Sequence, residues 1–490
     1  MCQQTEQVSL FDPQRWGLPR EAVDDLAKRL RHTWARYQDC FKTKTRDTSE
    51  YAWVYLRGIL TMETKRNFAN IARRVIDLDD DGQNLQQFMS DSPWSGEAVF
   101  KEIQIEINQR PELGGGVLTL DECGDERAGN QSAGAGRQYL GRLGKVDMGQ
   151  VAVGLGYYKE GLWMMVDAEL YLPEHWFDDD HTDLRRRWHI HASRSFATKL
   201  DLGLVLIRRA KAQGLAFEVV TADSLYGRDS HFRAELEADR LTYVLDVPVS
   251  TTVYLSKPTV GIPETPPGKV GRPFSRRQVL SDEQPVEVRS LLGHARFTLQ
   301  PIELRHTERG LLIYQCAARP VWTITDEGQV RREWLLIWQE PDGTVHYSLS
   351  NASPKTPLAQ LARWRCLRYF AERTFQDARS EAGWDELVAR KYRAWMHHTA
   401  LDALALWFVA EIKLDWAQTY PPDPTLTDDL QVVVLPSLSM ANIRELLQAV
   451  LPLKQLSPEQ ARRLVIKHLV NRSRSTRCRL KAQQHCRAPT

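Results

Sequence analysis

Residues 364–383, WRCLRYFAERTFQDARSEAG, set one carboxylate among several guanidiniums. On a helix, at about 100° per residue, Trp364, Leu367, Ala371, Phe375, Ala378 and Ala382 share an apolar stripe roughly 80° wide. Arg365, Arg368, Glu372 and Arg379 share a neighbouring stripe roughly 60° wide. A carboxylate and three cations at the border of a buried face suit chemistry that touches phosphates and a metal ion. The same spacing describes a solvated face with i,i+4 pairs such as Arg368–Glu372, and helix geometry alone leaves both readings open. Two more acids stand at strand ends. The apolar run 117–120 closes on Asp121, and a buried strand over 217–221 runs into Asp223. One such acid is often a turn or cap residue. Two in matching strand contexts, together with Glu372, form a constellation.

The elements that must position these acids are legible in order. Strand-like runs at 150–157 and 163–172 follow Asp121. A helix over 196–214, closed by Gly214, leads to the strand that ends at Asp223. A short helix over 230–239 and a strand over 242–247 come next. Three strands, helix, strand, helix, strand is the order of an RNase H-like core. The expected fold class is therefore α/β, an RNase H-like catalytic core interrupted by a mainly β insertion, with helical N-terminal and C-terminal regions. Residues 1–110 read as helical, including a helix over 63–75, and suit DNA binding or dimerisation and a purely packing domain equally. Residues 111–250 carry the first part of the core, 251–350 the β-rich insertion, 351–415 the core helix with Glu372, and 416–490 a helical region with a basic tail. Within the insertion, strands are expected at 311–317 and 321–325, among others. Trp322, Trp334 and Trp338 there suit either sheet packing or stacking on an extruded base.

Charge and composition narrow the classes. Lysine and arginine number 65 against 63 acids, so any basic surface must come from segregation of charge. Such segments exist: 268–277 carries Lys269, Arg272, Arg276 and Arg277, and the tail carries Arg472, Arg474, Arg477, Arg479, Lys481 and Arg487. Arg137, Arg142 and Lys145 lie in a glycine-punctuated stretch that suits phosphate contact or a solvated hairpin equally. The seven cysteines form no CxxC pair, which argues against a zinc ribbon and suits a reduced cytosolic protein. His189 and His191 lack a carboxylate or thiol at ligand spacing, so no zinc site is expected there. The start has no secretory pattern, and no run of about 20 apolar residues exists to span a membrane.

Arg368, three residues, Glu372, six residues, Arg379 resembles the helix signature of the IS4-type DDE transposases, Tyr-x2-Arg-x3-Glu-x6-Lys. Arg365 stands at the Tyr position and Arg379 at the Lys position. The phrases GVLTLDECGDERAG, RQYLGRLGKVDMGQVAVGLGY, ELYLPEHW, FATKLDLGL and VTADSLYGRD resemble the IS701 family of insertion-sequence transposases in order and spacing, over roughly residues 51–408. One departure is Cys123, where members often have Thr. The resemblance implies that Asp121, Asp223 and Glu372 are catalytic and hold two Mg²⁺ ions, with Mn²⁺ substituting. Two such ions activate a water or 3′-OH and stabilise the leaving oxygen, and hard carboxylate oxygens suit them. Arg365, Arg368 and Arg379, with Arg137, Lys145 and Arg228, would contact DNA. The partners implied are double-stranded DNA, as terminal inverted repeats and target, and a second copy in a synaptic dimer. Cut-and-paste transposition through hairpin ends, in the bacterial cytoplasm at the nucleoid and away from membranes, completes the expectation. Two rivals stand beside it: a transposase-derived DNA-binding protein that does not cut, and a metal-dependent nuclease without strand transfer.

Overall fold

Strand β1 (Gly116–Glu126) separates two apolar environments, as the two-residue period of a strand requires. Leu118 and Leu120 belong to one core, and Val117 to another on the opposite face. The computed structural model describes residues 10–264 and 274–485. Lys269, Arg272 and Arg487 of the expected basic segments lie outside the described residues.

Nine further strands join β1: β2 (Gly136–Leu140), β3 (Lys145–Lys159), β4 (Leu162–Leu170), β5 (Phe217–Ala222), β6 (Tyr243–Val247), β7 (Gln300–Thr307), β8 (Gly310–Ile324), β9 (Val330–Gln339) and β10 (Val345–Ser350). They form one sheet in the order β7-β8-β9-β10-β6-β5-β1-β3-β2, with β4 also on β3. The central strands β1, β5 and β6 run parallel, and the flanks are antiparallel. The expected β insertion thus extends the same sheet, because β10 pairs with β6. Its expected strands at 311–317 and 321–325 are one strand, β8. Pro320 does not break it, since β7 pairs with β8 only as far as Cys316 and the edge is next met at Trp322, by Tyr254, so no partner needs an N–H from Pro320.

The N-terminal helices are α1 (Arg20–Arg36), α2 (Ser49–Thr61), α3 (Phe68–Val75), α4 (Gln83–Ser90) and α5 (Gly96–Asn108). Helix α3 is shorter than the expected 63–75, because the Asn67 side chain accepts the Asn70 N–H and caps it there. α6 (Lys199–Ala212) opens on a capping box of Thr198 and Asp201, and α7 (Ser230–Ala238) on Asp229. The chain closes with α8 (Leu358–Cys366), α9 (Tyr369–Asp377), α10 (Tyr392–Thr419), α11 (Met440–Val450) and α12 (Pro458–His485). Helix α10 carries apolar residues all round because its stretch 394–412 is buried on every side, between β4 and α2, α4 and α5. One continuous core includes Leu30 of α1, Leu120 of β1 and Phe408 of α10. Among the described residues no helix is long and apolar enough to cross a membrane.

Residues 364–383 are not the single helix expected. The chain leaves α8 at Cys366, turns at Leu367 and Arg368, and continues as α9. It then widens into a π turn, Ala378–Ala382, which Gly383 ends at φ 81°. α8 packs on β5–β9 and α9 on β1, β3 and β4. The twist of the sheet turns these two halves relative to each other, so one straight helix cannot follow both. The break falls between Arg365 and Arg368 and separates side chains that a straight helix would align.

Candidate active site

The parallel register places Leu120 beside Ala222 and Ala222 beside Leu245. The next residue on each chain is an acid, so Asp121, Asp223 and Asp246 lie in one transverse row. The row continues into the antiparallel flanks as Gly154 opposite Asp121 and Ser348 opposite Asp246. Asp223 ends its strand by capping the next turn, accepting the Leu225 N–H at 2.9 Å. Helix α9 crosses this face of the sheet and brings Glu372 to the row. Together they line a cleft of about 720 Å³ with Arg365, Arg368 and Arg379 on its walls.

Arg368 ties the cluster together. Its Nη1 donates to Asp121 Oδ2 at 3.3 Å and its Nη2 to Glu372 Oε1 at 2.9 Å. Its Nε lies 3.4 Å from Asp246 Oδ2. Burial alone would lower the Arg368 pKa, but Asp246, Asp121, Glu372 and Asp223 outweigh it and raise it. Asp121 is pushed up to about 7, first by burial and then by Asp223 and Glu372, against the pull of Arg368. Asp223 is raised as well, chiefly by burial, with Asp246 adding to it. Glu372 stays accessible, with 58% of its side chain exposed, against 17% for Asp121.

The donor set fits a hard divalent cation, since carboxylate oxygens are its preferred ligands. Asp121, with a proton held to about pH 7, has one to exchange for such an ion. Among the described residues no three acids or His and Cys side chains converge tightly enough to hold an ion; the Arg368 guanidinium bridges Asp121 and Glu372. The two nearby acids that could replace Glu372 are committed elsewhere. Asp377 accepts the Trp163 indole N–H at 2.9 Å, and Glu381 pairs with Arg444 at 2.6 Å.

The expected DNA contacts fall into two groups. Arg137, Lys145 and Arg228 are exposed, and Lys145 pairs with Asp147 at 2.7 Å. Arg379 lines the cleft and donates to Cys123 Sγ at 3.0 Å. Arg365 is only 8% exposed and grips Asp246 with two hydrogen bonds, at 2.9 and 2.5 Å. His189 and His191 lie outside any strand. His189 adopts φ 61° and meets Asp91 at 3.2 Å. Trp338 is buried, stacked between Tyr314 and His346.

Sequence reasoning missed Asp246. It is one residue short of the end of β6, and the apolar run around it hides a site acid. The signal is its partner in the row, visible only once the register is known. It also missed Glu122, which points to the other face of β1 from Asp121 and pairs with Lys199 at 2.9 Å.

The chain belongs to the family described as DDE superfamily endonuclease, whose model matches residues 36–310, more than half of its length. The match takes in Asp121, Asp223 and Asp246 and ends before Glu372. The chain is also similar to a probable transposase for insertion sequence element IS701 from Microchaete diplosiphon. The two are 26% identical over 343 residues, which covers 70% of this chain and 77% of that protein.

Proposed function

We propose that this chain is a DDE transposase that cuts DNA at the ends of an insertion element and joins the freed 3′-OH to target DNA. The observation that carries the reading is the row of Asp121 and Asp223 across neighbouring parallel strands, with Glu372 brought over it by α9. The strand order beside this row supports an RNase H-like core, with the helical ends and the sheet extension built around it. Asp121, Asp223 and Glu372 would hold Mg²⁺, with Mn²⁺ as substitute. Bound there, divalent ions supply activation of the attacking oxygen and stabilisation of the leaving one. Arg368 and Arg379, on the cleft walls, orient the phosphodiester by charge-assisted hydrogen bonds. Exposed Arg137, Lys145 and Arg228 hold backbone phosphates further out, which positions the duplex without reading its sequence. In this reading the substrate is the element's terminal inverted repeats, with a second copy of the chain pairing the two ends; the similarity to a probable transposase for an insertion sequence element supports the element as the substrate class. Hairpin ends belong to the same reading.

The test is cleavage of DNA carrying the element's ends, with Mg²⁺, by wild type and by Asp121→Ala, Asp223→Ala and Glu372→Ala. Wild type is expected to cut and each variant to bind without cutting, with losses of about 10³-fold or more. Wild type that binds ends and never cuts, with Mg²⁺ or Mn²⁺, would show a non-catalytic DNA-binding protein. Cutting without joined products would show a nuclease.

A further inference from the structure

Asp246 has no part in a three-carboxylate site, yet it is the acid most firmly held. Its Oδ1 accepts from Ser348 Oγ at 2.7 Å and from Arg365 Nε at 2.9 Å. Its Oδ2 accepts from Arg365 Nη2 at 2.5 Å and lies 3.4 Å from Arg368 Nε. Both oxygens are committed to donors, which is the pattern of an arginine holder and not of a metal ligand. Arg365 is fixed from the other side as well. Its guanidinium carbon lies 3.8 Å from the centroid of the Trp338 ring. Asp246, Arg365 and Trp338 thus form a hydrogen-bonded and stacked wall at one end of the row.

Arg368 sits on the far side of the helix break and is shared between this wall and the cleft. Two of its nitrogens hydrogen-bond Asp121 and Glu372, while its buried Nε has no hydrogen-bond partner, with Asp246 the nearest acid. A guanidinium and a divalent cation compete for the same carboxylate oxygens. By linkage, whatever else holds Arg368 strengthens cation binding, and removal of that partner weakens it.

We propose that Asp246 is a positioning residue that gives Arg368 a second seat. Arg368 bridges Asp121 and Glu372 while no cation is bound, and moves onto Asp246 when a divalent cation takes those oxygens. Arg365 keeps Asp246 in place for that exchange. Without Asp246, a buried guanidinium leaving Asp121 would be unpaired, so it stays. This rests on reading Asp121 and Glu372 as ligands of the cation.

The test is Mn²⁺ binding to the full chain without DNA, by calorimetry and water-proton relaxation. Arg368→Gln removes the competitor and is expected to tighten Mn²⁺ binding about tenfold. Asp246→Asn is expected to weaken it about tenfold, and to have no effect in the Arg368→Gln background, because its influence passes through Arg368. Equal weakening in both backgrounds overturns the proposal, since Asp246 would then act on the ion or the fold directly. No effect of Arg368→Gln overturns it too, and that arm stands even if Asp246→Asn folds poorly by circular dichroism. Asp121→Asn separates loss of the cation site from loss of the second seat. If it leaves Mn²⁺ binding intact, or wild type binds none, the reading of the site fails and takes the proposal with it. If it abolishes binding while Arg368→Gln changes nothing, only the second seat fails.

Discussion

The ring of Phe375 rests on Gly154, so closely that a Cβ at Gly154 would stand 2.5 Å from a ring carbon. Gly154 is the cross-strand partner of Asp121, and Phe375 lies one helical turn after Glu372. This contact sets how near α9 comes to β1, and so how near Glu372 comes to Asp121. Gly154→Val is expected to push α9 off the sheet at a cost of about 1–3 kcal/mol, while the chain still folds. Displacement of a reacting group by roughly 1 Å costs on the order of 10²-fold in rate. Single-turnover cleavage by Gly154→Val should fall by that much, with DNA affinity within about twofold of wild type. Unchanged cleavage would mean that Phe375 does not set the spacing.

Asp121 makes the metal-free protein sensitive to pH. Its folded-state pKa is raised to about 7 from an ordinary 3.8, so the folded state holds a proton that the unfolded chain releases. This group therefore favours folding most below pH 4, and that support is lost as pH rises towards 7, at ~1.4 kcal/mol per unit. Thermal melts without divalent ions should show stability declining across this window. Asp121→Asn should flatten the decline and melt higher than wild type at pH 8. Parallel profiles for the two proteins would contradict the raised pKa.

A second buried acid group braces β4 against α6. Asp167 is fully buried and accepts from Arg209 Nε at 2.6 Å and Nη2 at 2.7 Å, and Glu169 lies 3.3 Å from Arg209 Nη1. Burial raises Asp167 to about 6 even with Arg209 present. Arg209→Met leaves buried Asp167 without its cation, while Glu169 keeps Arg194 at 2.9 Å, and should cost about 3–5 kcal/mol in urea unfolding. The loss should be larger at pH 8 than at pH 5, where protonation relieves Asp167. Equal losses at both pH values would show that packing, not charge, carries the effect.

Helix α12 stands away from the core, with Val465, Ile466, Leu469, Val470 and Leu480 exposed among many basic side chains. Deletion of residues 458–490 should leave the melting temperature of the rest within a few degrees. Affinity for DNA should fall, and the slope of log K against log salt should flatten by about 0.9 for each phosphate that the helix had neutralised. An unchanged slope would assign the basic helix a role other than binding phosphates.

What the sequence determined by itself is local. Apolar runs marked β1 and β5, and Asp223 does close β5, whereas Asp121 lies midway along β1, which pairs with β3 as far as Glu126 instead of ending at the acid. Capping residues set the start of α12 locally, where Ser457 Oγ accepts the Gln460 N–H at 3.2 Å and Gln460 Oε1 the Ser457 N–H at 2.9 Å. The spacing Arg368, Glu372, Arg379 was legible for the same reason. Tertiary structure decided the rest. That Asp246 joins Asp121 and Asp223 depends on the register of β6 on β5 and of β5 on β1, the latter pair about a hundred residues apart in sequence, which no local rule contains. That residues 364–383 break into α8, α9 and a π turn depends on the twist of the sheet beneath them. Arg365 points at Asp246 and Trp338, not along the stripe of Glu372, because those two residues arrive from β6 and β9 to receive it. Side-chain types and their spacing are fixed by covalent order, whereas which charge faces which is fixed by long-range packing. The candidate site is made by the second acting on the first.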